Sequence, residues 1–294
     1  MKVKKKKKIS LFDVMVHIIT AFLVLIVLYP LILVLSNSVS DPGLVASGQV
    51  LLFPKGLNLE GYKAVFRDKN IMTGYANTIF YTFFGTIINL LVTVPAGYAL
   101  TKATLPGKNF FVMLFMITMY FSGGMIPTFL LVQSLGLYNT RWVLLILGAF
   151  STYNCIICRS FFDSLPKELE ESAEIDGCSP MRTFIKIVLP LSKALLGVMV
   201  LYFAVGHWNS YFNAMIYLRE DRMQPLQVFL RRILILAQSA LELEVSEEFA
   251  QSVADREALL RYSTIVVSSL PLLIIYPFLQ KYFDKGVMIG SVKG

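Results

Sequence analysis

Six long apolar runs alternate with shorter polar stretches along the chain. A bilayer core about 30 Å thick requires about 20 apolar residues in a helix. The pattern therefore predicts membrane-crossing helices over residues 14–35, 75–100, 110–135, 142–158, 194–218 and 263–279. The fourth run is the shortest, and we expect its helix to extend to Thr140 and Phe162. The expected fold class is an all-α membrane protein with six transmembrane helices in one domain, residues 1–294.

Composition supports a membrane protein. Of the 294 residues, 56% are hydrophobic and 16% are charged, whereas soluble domains have about 45–50% apolar and about 25% charged residues. These values argue against a soluble fold, a disordered chain and a disulfide scaffold. The three cysteines cannot form a closed set of pairs, and Cys155 and Cys158 lie in an apolar run. One such pair is more typical of packing than of a redox or zinc site.

The basic residues orient the chain. Lys4 to Lys8 directly precede the first run, where the positive-inside rule acts most strongly, so both termini are expected in the cytoplasm. The cytoplasmic parts would then be a basic tail (1–13), a loop (164–190) and a second tail (281–294), and residues 219–262 would form an extracytoplasmic loop. A signal peptide and a segment binding nucleic acid or lipid are the alternatives for the lysine run. The apolar run is too long for a signal peptide and no A-x-A site follows, and we expect no nucleic-acid partner.

Ionisable side chains are scarce inside the runs. Only His17 and His207 are found there, and His17 is expected near the membrane surface. Ion- or proton-coupled transport generally requires buried carboxylates or a relay of titrating groups. The pattern therefore counts against a secondary transporter, although that class stays the alternative function, with a polytopic membrane enzyme as a further one.

The loop between the fourth and fifth runs predicts two short helices at a sharp corner. Pro166 suits a first helical position, and Gly177 suits the residue just past a helix end, where φ is often positive. Ser179 and Pro180 restart a helix, which Pro190 ends. An apolar face is expected from Met181, Phe184, Ile185 and Val188. Such a corner could dock in a groove of another protein, or could lie as an interfacial helix under the bundle.

Residues 171–177, Glu-Ser-Ala-Glu-Ile-Asp-Gly, are followed by nine residues and then by Ile-Val-Leu-Pro at 187–190. This spacing closely resembles the EAA loop of ABC importer permeases, with Ser172 and Cys178 at positions where that pattern favours alanine. The resemblance implies that the loop docks on a cytoplasmic ATPase and couples it to the membrane helices. The residues to which it assigns this coupling are Glu171, Ser172, Ala173, Asp176, Gly177, Ile187, Leu189 and Pro190.

Two further segments extend the resemblance. Residues 281–294 look like the tail of the maltose-permease branch for carbohydrates, and the stretch 225–232 looks most like the lpl/ytc type of oligosaccharide permease. The resemblance implies a bacterial plasma-membrane subunit with four kinds of partner besides lipid: a cytoplasmic ABC ATPase dimer, a second homologous permease subunit, an extracytoplasmic solute-binding protein and a carbohydrate substrate. The chain has no G-x-x-x-x-G-K-[ST] motif, so we expect no bound cofactor and no enzymatic activity, with ATP hydrolysed by the partner.

Polar and aromatic residues in the fifth run are the candidates for a substrate path. If the run is one helix, Asn209 and Asn213 lie four residues apart on one face, and Trp208 is near Tyr211. Sugar sites combine hydrogen-bonding groups with aromatic surfaces. The alternative is an interfacial aromatic belt, with the amides bonding neighbouring helices.

Other polar residues in the runs are expected to bond neighbouring helices, namely Asn77, Asn89, Gln133 and Asn154. Ser122-Gly-Gly124, followed by Pro127, is expected to interrupt the third run, either beside a cavity or as a packed kink. The outer loop contains a semi-apolar segment, 227–235, and an acidic run, 242–248. The resemblance implies that this loop contributes to binding-protein docking; the alternative is a solvated loop that caps the bundle.

Overall fold

The computed structural model describes residues 10–242 and 260–277, and within them all regular structure is helical. The predictions for Lys4 to Lys8, for residues 243–248 of the acidic run and for the tail 281–294 concern residues outside these ranges. The helices are α1 (Leu11–Ser38), α2 (Pro42–Ala46), α3 (Glu60–Arg67), α4 (Lys69–Ala99), α5 (Lys108–Tyr120), α6 (Met125–Ser134), α7 (Trp142–Ile146), α8 (Thr152–Asp163), α9 (Glu168–Ile175), α10 (Pro180–Leu191), α11 (Lys193–Trp208), α12 (Phe212–Tyr217), α13 (Leu226–Glu242) and α14 (Leu260–Pro277).

Three described helices are long and apolar enough to cross a membrane by themselves: α1, α4 and α14. Two bent pairs raise the number to as many as five, because α5 with α6 and α10 with α11 pass the same test together. The protein is thus an all-helical, multi-span membrane protein, and the number six stays a prediction. The first two predicted runs agree with α1 and α4: α1 extends three residues beyond each predicted end, and α4 begins six residues earlier than predicted and ends one residue earlier.

Local sequence explains where α1 begins. Ser10 caps the helix by accepting a hydrogen bond from the Phe12 backbone N–H, and Asp13 accepts one from the Ser10 backbone N–H at 3.0 Å. This reciprocal capping box satisfies backbone donors that a helix start leaves unpaired. Nearly all the apolar side chains of α1 as far as Ile32 are exposed. In a bilayer, such a surface is covered by lipid or by a partner helix.

The chain divides into two compact units. One contains the described residues of 10–68 and 230–268, and the other contains those of 69–229 and 269–277. In the first unit, Ser40 Oγ donates to the Ser36 carbonyl and accepts from the Lys55 backbone N–H, which holds the end of α1 against the segment that follows. Tyr62 of α3 hydrogen-bonds Ser38 at 2.8 Å. The candidate functional residues lie in the second unit.

Helix α4 forms the axis of the second unit. Its 31 residues make it about 46 Å long, and it packs against α7, α8 and α11. Two apolar clusters lie along it: one surrounds Tyr81 with α7 and α12, and the other surrounds Tyr98 with α8, α10 and α11. Helix α4 is thus packed against partner helices near both of its ends.

Three of the predicted runs are not continuous helices. The third is broken between α5 and α6, with a bend of 116°, at the Ser122-Gly-Gly124 segment that the sequence indicated. The prediction of one helix over 142–158 is wrong, because residues 147–151 separate α7 from α8. The fifth run is also wrong as one helix, because α11 ends at Trp208 and α12 begins at Phe212.

The predicted outer loop contains more regular structure than the sequence indicated. Helix α13 covers the semi-apolar segment 227–235 and continues to Glu242. The segment that leads into α13 is held by Gln224, whose side chain donates to the Leu218 carbonyl at 3.0 Å. The Leu226 backbone N–H donates to the Thr78 hydroxyl of α4 at 2.9 Å. The start of α13 is therefore fixed to the beginning of α4.

Candidate functional site: a helical corner and a polar cavity

The corner between α9 and α10 has the geometry that its sequence predicts. Gly177 has φ +74°, which confirms the expected left-handed residue after the helix. The Cys178 N–H donates to Ala173 O at 2.9 Å and the Gly177 N–H donates to Glu174 O at 3.0 Å. These two bonds form a Schellman motif, which satisfies the last carbonyls of α9. Helix α9 begins at Glu168, so Pro166 lies just before the helix rather than at its first position.

The residues assigned to coupling differ in exposure. Ala173 is buried, with 4% of its surface exposed, so its methyl group faces this chain and not an outside groove. Glu171, Ser172, Asp176 and Gly177 are exposed. Among the residues that the motif did not single out, Ile175 is 87% exposed. The outer surface of the corner thus combines acidic groups with the large apolar side chain of Ile175.

Helix α10 carries the second half of the pattern. Phe184 and Val188 are buried, whereas Met181 and Ile185 are exposed, so the predicted apolar face is only partly covered by this chain. Ile187 and Leu189 are half-buried and Pro190 is exposed.

The middle of α10 is a turn of π-helix over Phe184–Val188, and a bend of 84° separates α10 from α11 at Ser192. Proline removes a backbone donor and its ring crowds the carbonyl four residues earlier, so Pro190 explains the wider turn. Ser192 is fully buried, and its Oγ donates to the Val188 carbonyl at 2.7 Å. The chain therefore turns sharply at a fixed point between the corner and α11.

A polar cavity of about 250 Å³ lies further along α4. Amide, hydroxyl and imidazole groups supply most of its polar lining. The lining residues are Asn89, Leu144, Gly148, Ser151, Asn154, Tyr202, Phe203, Gly206, His207, Ser210 and Asn213. These groups can donate and accept hydrogen bonds without net charge, which suits a ligand rich in hydroxyl groups.

Asn89 organises the wall of this cavity. Its Nδ2 donates to the carbonyls of Gly148 and Ala149, the latter at 3.0 Å, in the segment that separates α7 from α8. Its Oδ1 lies 2.7 Å from His207 Nε2. Because the amide nitrogen is occupied by two carbonyls, Oδ1 accepts and His207 Nε2 is the donor. One side chain thus joins α4, the 147–151 segment and α11.

Close helix packing holds this arrangement. A Cβ atom on Gly85 would lie 2.4 Å from the His207 ring, and a Cβ atom on Gly97 would lie 2.6 Å from Cys158 Cβ. The glycines therefore allow α4 to approach α11 and α8 more closely than any other residue would. Cys155 and Cys158 are free and fully buried, in agreement with a packing role.

Of the four residues predicted for the substrate path, only Asn213 lines the cavity. Trp208 is buried, 4% exposed, with its ring centroid 5.9 Å from that of Tyr75. Asn209 is exposed, and its Nδ2 donates to the Val205 carbonyl at 3.0 Å, which favours the end of α11 there. Tyr211 precedes α12 and has its ring 6.4 Å from that of Phe212. Asn209 and Asn213 therefore do not share a helix face.

Sequence reasoning missed the other polar lining residues. Asn89 and Asn154 were expected to bond neighbouring helices, which the contacts of Asn89 confirm, but not to line a cavity. Ser151 caps α8 by accepting from the Asn154 N–H at 3.3 Å. The sequence does show polar residues within apolar runs. It does not show that these residues meet at one cavity, because they are far apart along the chain.

A second polar cluster lies at the opposite end of α4. Asn77 donates to the carbonyls of Arg222 and Gln224 and accepts from Arg141 at 3.0 Å, so it too bonds its neighbours as expected. Asn139 Nδ2 donates to Glu220 at 3.1 Å. The hydrogen bond from Arg222, with that from Asn139, lowers the pKa of the Glu220 carboxyl. This cluster joins the segments before α7 and after α12.

Comparison with known proteins identifies the family. The family model described as "Binding-protein-dependent transport system inner membrane component" matches residues 70–289. The chain belongs to this family. It is similar to the protein LplC of Bacillus subtilis, at 40% identity over 92% of this chain and 90% of that protein. It is also similar to the polygalacturonan/rhamnogalacturonan transport system permease protein YtcP of Bacillus subtilis, at 38% identity over 98% of this chain and 100% of that protein.

A solved structure agrees with the fold. The crystal structure of a bacterial ABC transporter involved in the import of the acidic polysaccharide alginate contains a chain that is 35% identical to this one. The TM-score is 0.83, and the match covers 96% of this chain and 100% of that chain. Family members are permease components, so the chain is a multi-pass protein of the cell membrane, and ATP is hydrolysed by a separate subunit. Within the described residues, no group of three or more His, Cys, Asp or Glu side chains could hold a metal ion.

Proposed function

We infer that the chain is the permease subunit of a binding-protein-dependent ABC importer for sugars. The observation that carries this conclusion is the family match over residues 70–289, together with near-full-length similarity to YtcP. Transporters of this kind combine paired permease subunits with an ATPase and a solute-binding protein. The chain itself is not an enzyme.

We propose a finer topology of six spans with both termini in the cytoplasm. Contacts at the two ends of α4 support it. At one end, Asn77 bonds Arg141 and the 222–224 segment. At the other end, the loop after α4 contacts α9 through Lys102 and Glu170. The cytoplasmic loops of the proposal, 101–109 and 164–190, thus share one end of α4, and the outer segments share the other.

The corner between α9 and α10 is the proposed docking site for the ATPase, with Glu171 to Gly177 at the contact and the Ile187 to Pro190 segment behind it. Two observations support this role. A Cβ atom on Gly177 would meet no heavy atom within 4 Å, so the corner presents open space. Ile175 exposes 87% of its surface and would be buried by a partner. An exposed apolar residue among polar ones is typical of the anchor of a helix-in-groove contact.

Oligosaccharides are the proposed substrate class, and the polar cavity is the proposed part of their path. The relatives' names support the class: they include the polygalacturonan/rhamnogalacturonan permease YtcP and the arabinooligosaccharides permease AraQ of Halalkalibacterium halodurans, which is 28% identical over 99% of this chain. The neutral amides and hydroxyls of the lining support the cavity. In this proposal Asn89, Asn154 and Tyr202 join Asn213 as candidates, whereas the other predicted residues, Trp208, Asn209 and Tyr211, do not line the cavity.

Reconstitution in proteoliposomes tests the function. The permease pair, the ATPase and the binding protein should take up labelled oligosaccharide only with ATP, and omission of either soluble component should abolish uptake. Uptake driven by an ion gradient without ATP would contradict the proposal in favour of a secondary transporter. Product formation by the purified chain alone would favour an enzyme.

Crosslinking tests the docking site separately. In a Cys178→Ser background, Ile175→Cys should form a crosslink to the ATPase in intact membranes. Arg219→Cys, at an exposed position near the opposite end of α4, is the matched control and should form none. A crosslink at 219 and none at 175 would reverse the proposed orientation.

A further inference from the structure

A charged contact joins the loop that follows α4 to helix α9 of the corner. Lys102 lies three residues beyond the end of α4, and its Nζ forms an ion pair with Glu170 of α9. The two side chains are only 23% and 29% exposed. An ion pair shielded to this extent is less weakened by water and salt than one on an open surface. It is a direct physical connection between the proposed docking helix and the loop after α4.

Lys102 also contacts the end of α4 itself. Its Nζ lies 4.2 Å from the centroid of the Tyr98 ring, in the geometry of a cation–π interaction. Tyr98 in turn stacks on Phe184 of α10 with 4.7 Å between ring centroids and an interplanar angle of 24°. Phe162 of α8 meets the Tyr98 ring edge to face at 5.6 Å. The four helices α4, α8, α9 and α10 thus meet around two side chains.

The lysine stays charged in this setting. Burial acts most strongly and lowers the pKa of Lys102, but its interactions with Glu170 and Tyr98 together outweigh burial, so the pKa lies above its ordinary value. Lysine is already protonated at neutral pH. Lys102 therefore brings a full positive charge to this contact at neutral pH.

The same helix leads to the polar cavity. Asn89 and Tyr98 both belong to α4 and lie about 14 Å apart along its axis at about 1.5 Å per residue. A movement of α9 that pulls on Glu170 would act on Lys102 and Tyr98, and through α4 on the Asn89 wall of the cavity. Rigid helices with close-packed neighbours transmit such displacements.

We propose that Lys102 is a positioning residue for energy coupling, which links the docking helix α9 to α4 through its ion pair with Glu170 and its contact with Tyr98. The inference rests on the proposed function, because it assumes that α9 receives the movement of an ATPase. It adds the loop after α4 to the coupling machinery, which the EAA pattern places in residues 171–190 alone.

The test measures ATP hydrolysis and oligosaccharide uptake side by side in proteoliposomes that contain the complete transporter. Lys102→Met keeps the length of the side chain and removes the charge. It should lower the number of sugars taken up per ATP hydrolysed about fivefold or more, the low end of typical couplings between distant sites, with normal complex assembly. Lys102→Arg, which keeps the charge and the ring contact, should restore most of the ratio.

Two further variants make the test specific. Glu170→Gln should lower the ratio like Lys102→Met, and the double variant should be no worse than either single one, because both remove the same ion pair. Lys108→Met, at the first residue of α5, is the matched control, since Lys108 Nζ donates to the Thr101 carbonyl at 2.9 Å rather than to an acid. It should leave the ratio unchanged.

The outcomes separate the two levels of the proposal. An unchanged ratio in assembled Lys102→Met complexes would overturn the positioning role. If Lys102→Met fails to assemble, Glu170→Gln, which removes only a charge, decides by the same ratio. If the wild-type complex shows no ATP-dependent uptake, the proposed function itself fails.

Discussion

His207 Nε2 donates to Asn89 Oδ1 across 2.7 Å, and this bond fixes α11 to α4 beside the polar cavity. The rest of the Asn89 amide is used on the carbonyls of Gly148 and Ala149, which the interruption between α7 and α8 leaves without helical partners. Irregular backbone at membrane depth is tolerated only where its polar groups are satisfied or line a cavity. Here Asn89 satisfies the two carbonyls, and the segment that carries them also lines the cavity.

Replacement of Asn89 should destabilise the protein. Asn89→Ala leaves two carbonyls and His207 Nε2 without this partner, and buried polar groups without partners cost about 1–3 kcal/mol. We expect a lower melting temperature of the detergent-solubilised transporter and reduced uptake. Asn209→Ala is the matched control, because the Asn209 side chain is exposed and donates to the Val205 carbonyl at the adjoining end of α11. Equal melting temperatures for the two variants would show that Asn89 is not a structural junction.

A methyl group on Gly85 should displace the same junction. Its Cβ would lie 2.4 Å from the His207 ring, and overpacking of this kind costs about 1–3 kcal/mol. Gly85→Ala should therefore lower thermal stability and loosen α4 from α11. Gly206→Ala provides the comparison, since a Cβ atom there meets nothing within 4 Å. A Gly85→Ala protein as stable as the Gly206→Ala protein would contradict the packing.

Local signals in the sequence sufficed for some of these features. The first two apolar runs predicted α1 and α4, because a long apolar run without charges has few alternatives to a membrane helix. Gly177 was predictable because a left-handed residue after a helix favours glycine. The break before Met125 was predictable from Ser122-Gly-Gly124 for the same local reason.

The breaks at 147–151 and 209–211 were not predictable in this way. The first depends on Asn89, which is about sixty residues away in the sequence and donates to the carbonyls of Gly148 and Ala149. The spacing of apolar residues carries no information about such a distant hydrogen bond. The second places Trp208 against Tyr75 rather than beside Asn213. The cavity depends on both breaks, so its lining could only be read from the fold.

The corner residue Gly177 has a conformational role that substitution can isolate. Its φ of +74° costs a residue with a side chain roughly 1–2 kcal/mol, although space for a side chain is open. Gly177→Val should insert normally and should uncouple ATP hydrolysis from uptake. Gly177→Asn should keep more coupling than Gly177→Val, because asparagine tolerates this conformation. Normal uptake by Gly177→Val, measured beside ATP hydrolysis, would argue against the docking role of the corner.

The native cysteines offer a test of sidedness without any engineered reporter. Cys155 and Cys158 are fully buried, so a membrane-impermeant maleimide should react with half-buried Cys178 in the corner. We expect labelling in inside-out vesicles and not in right-side-out vesicles, and Cys178→Ser should abolish it. Because an ATPase docked at the corner would cover Cys178, labelling should be slower in the assembled transporter than in the permease pair alone. Labelling of Cys178 from the outer side would mean that the corner faces away from the cytoplasm, and no cytoplasmic ATPase could then act through it.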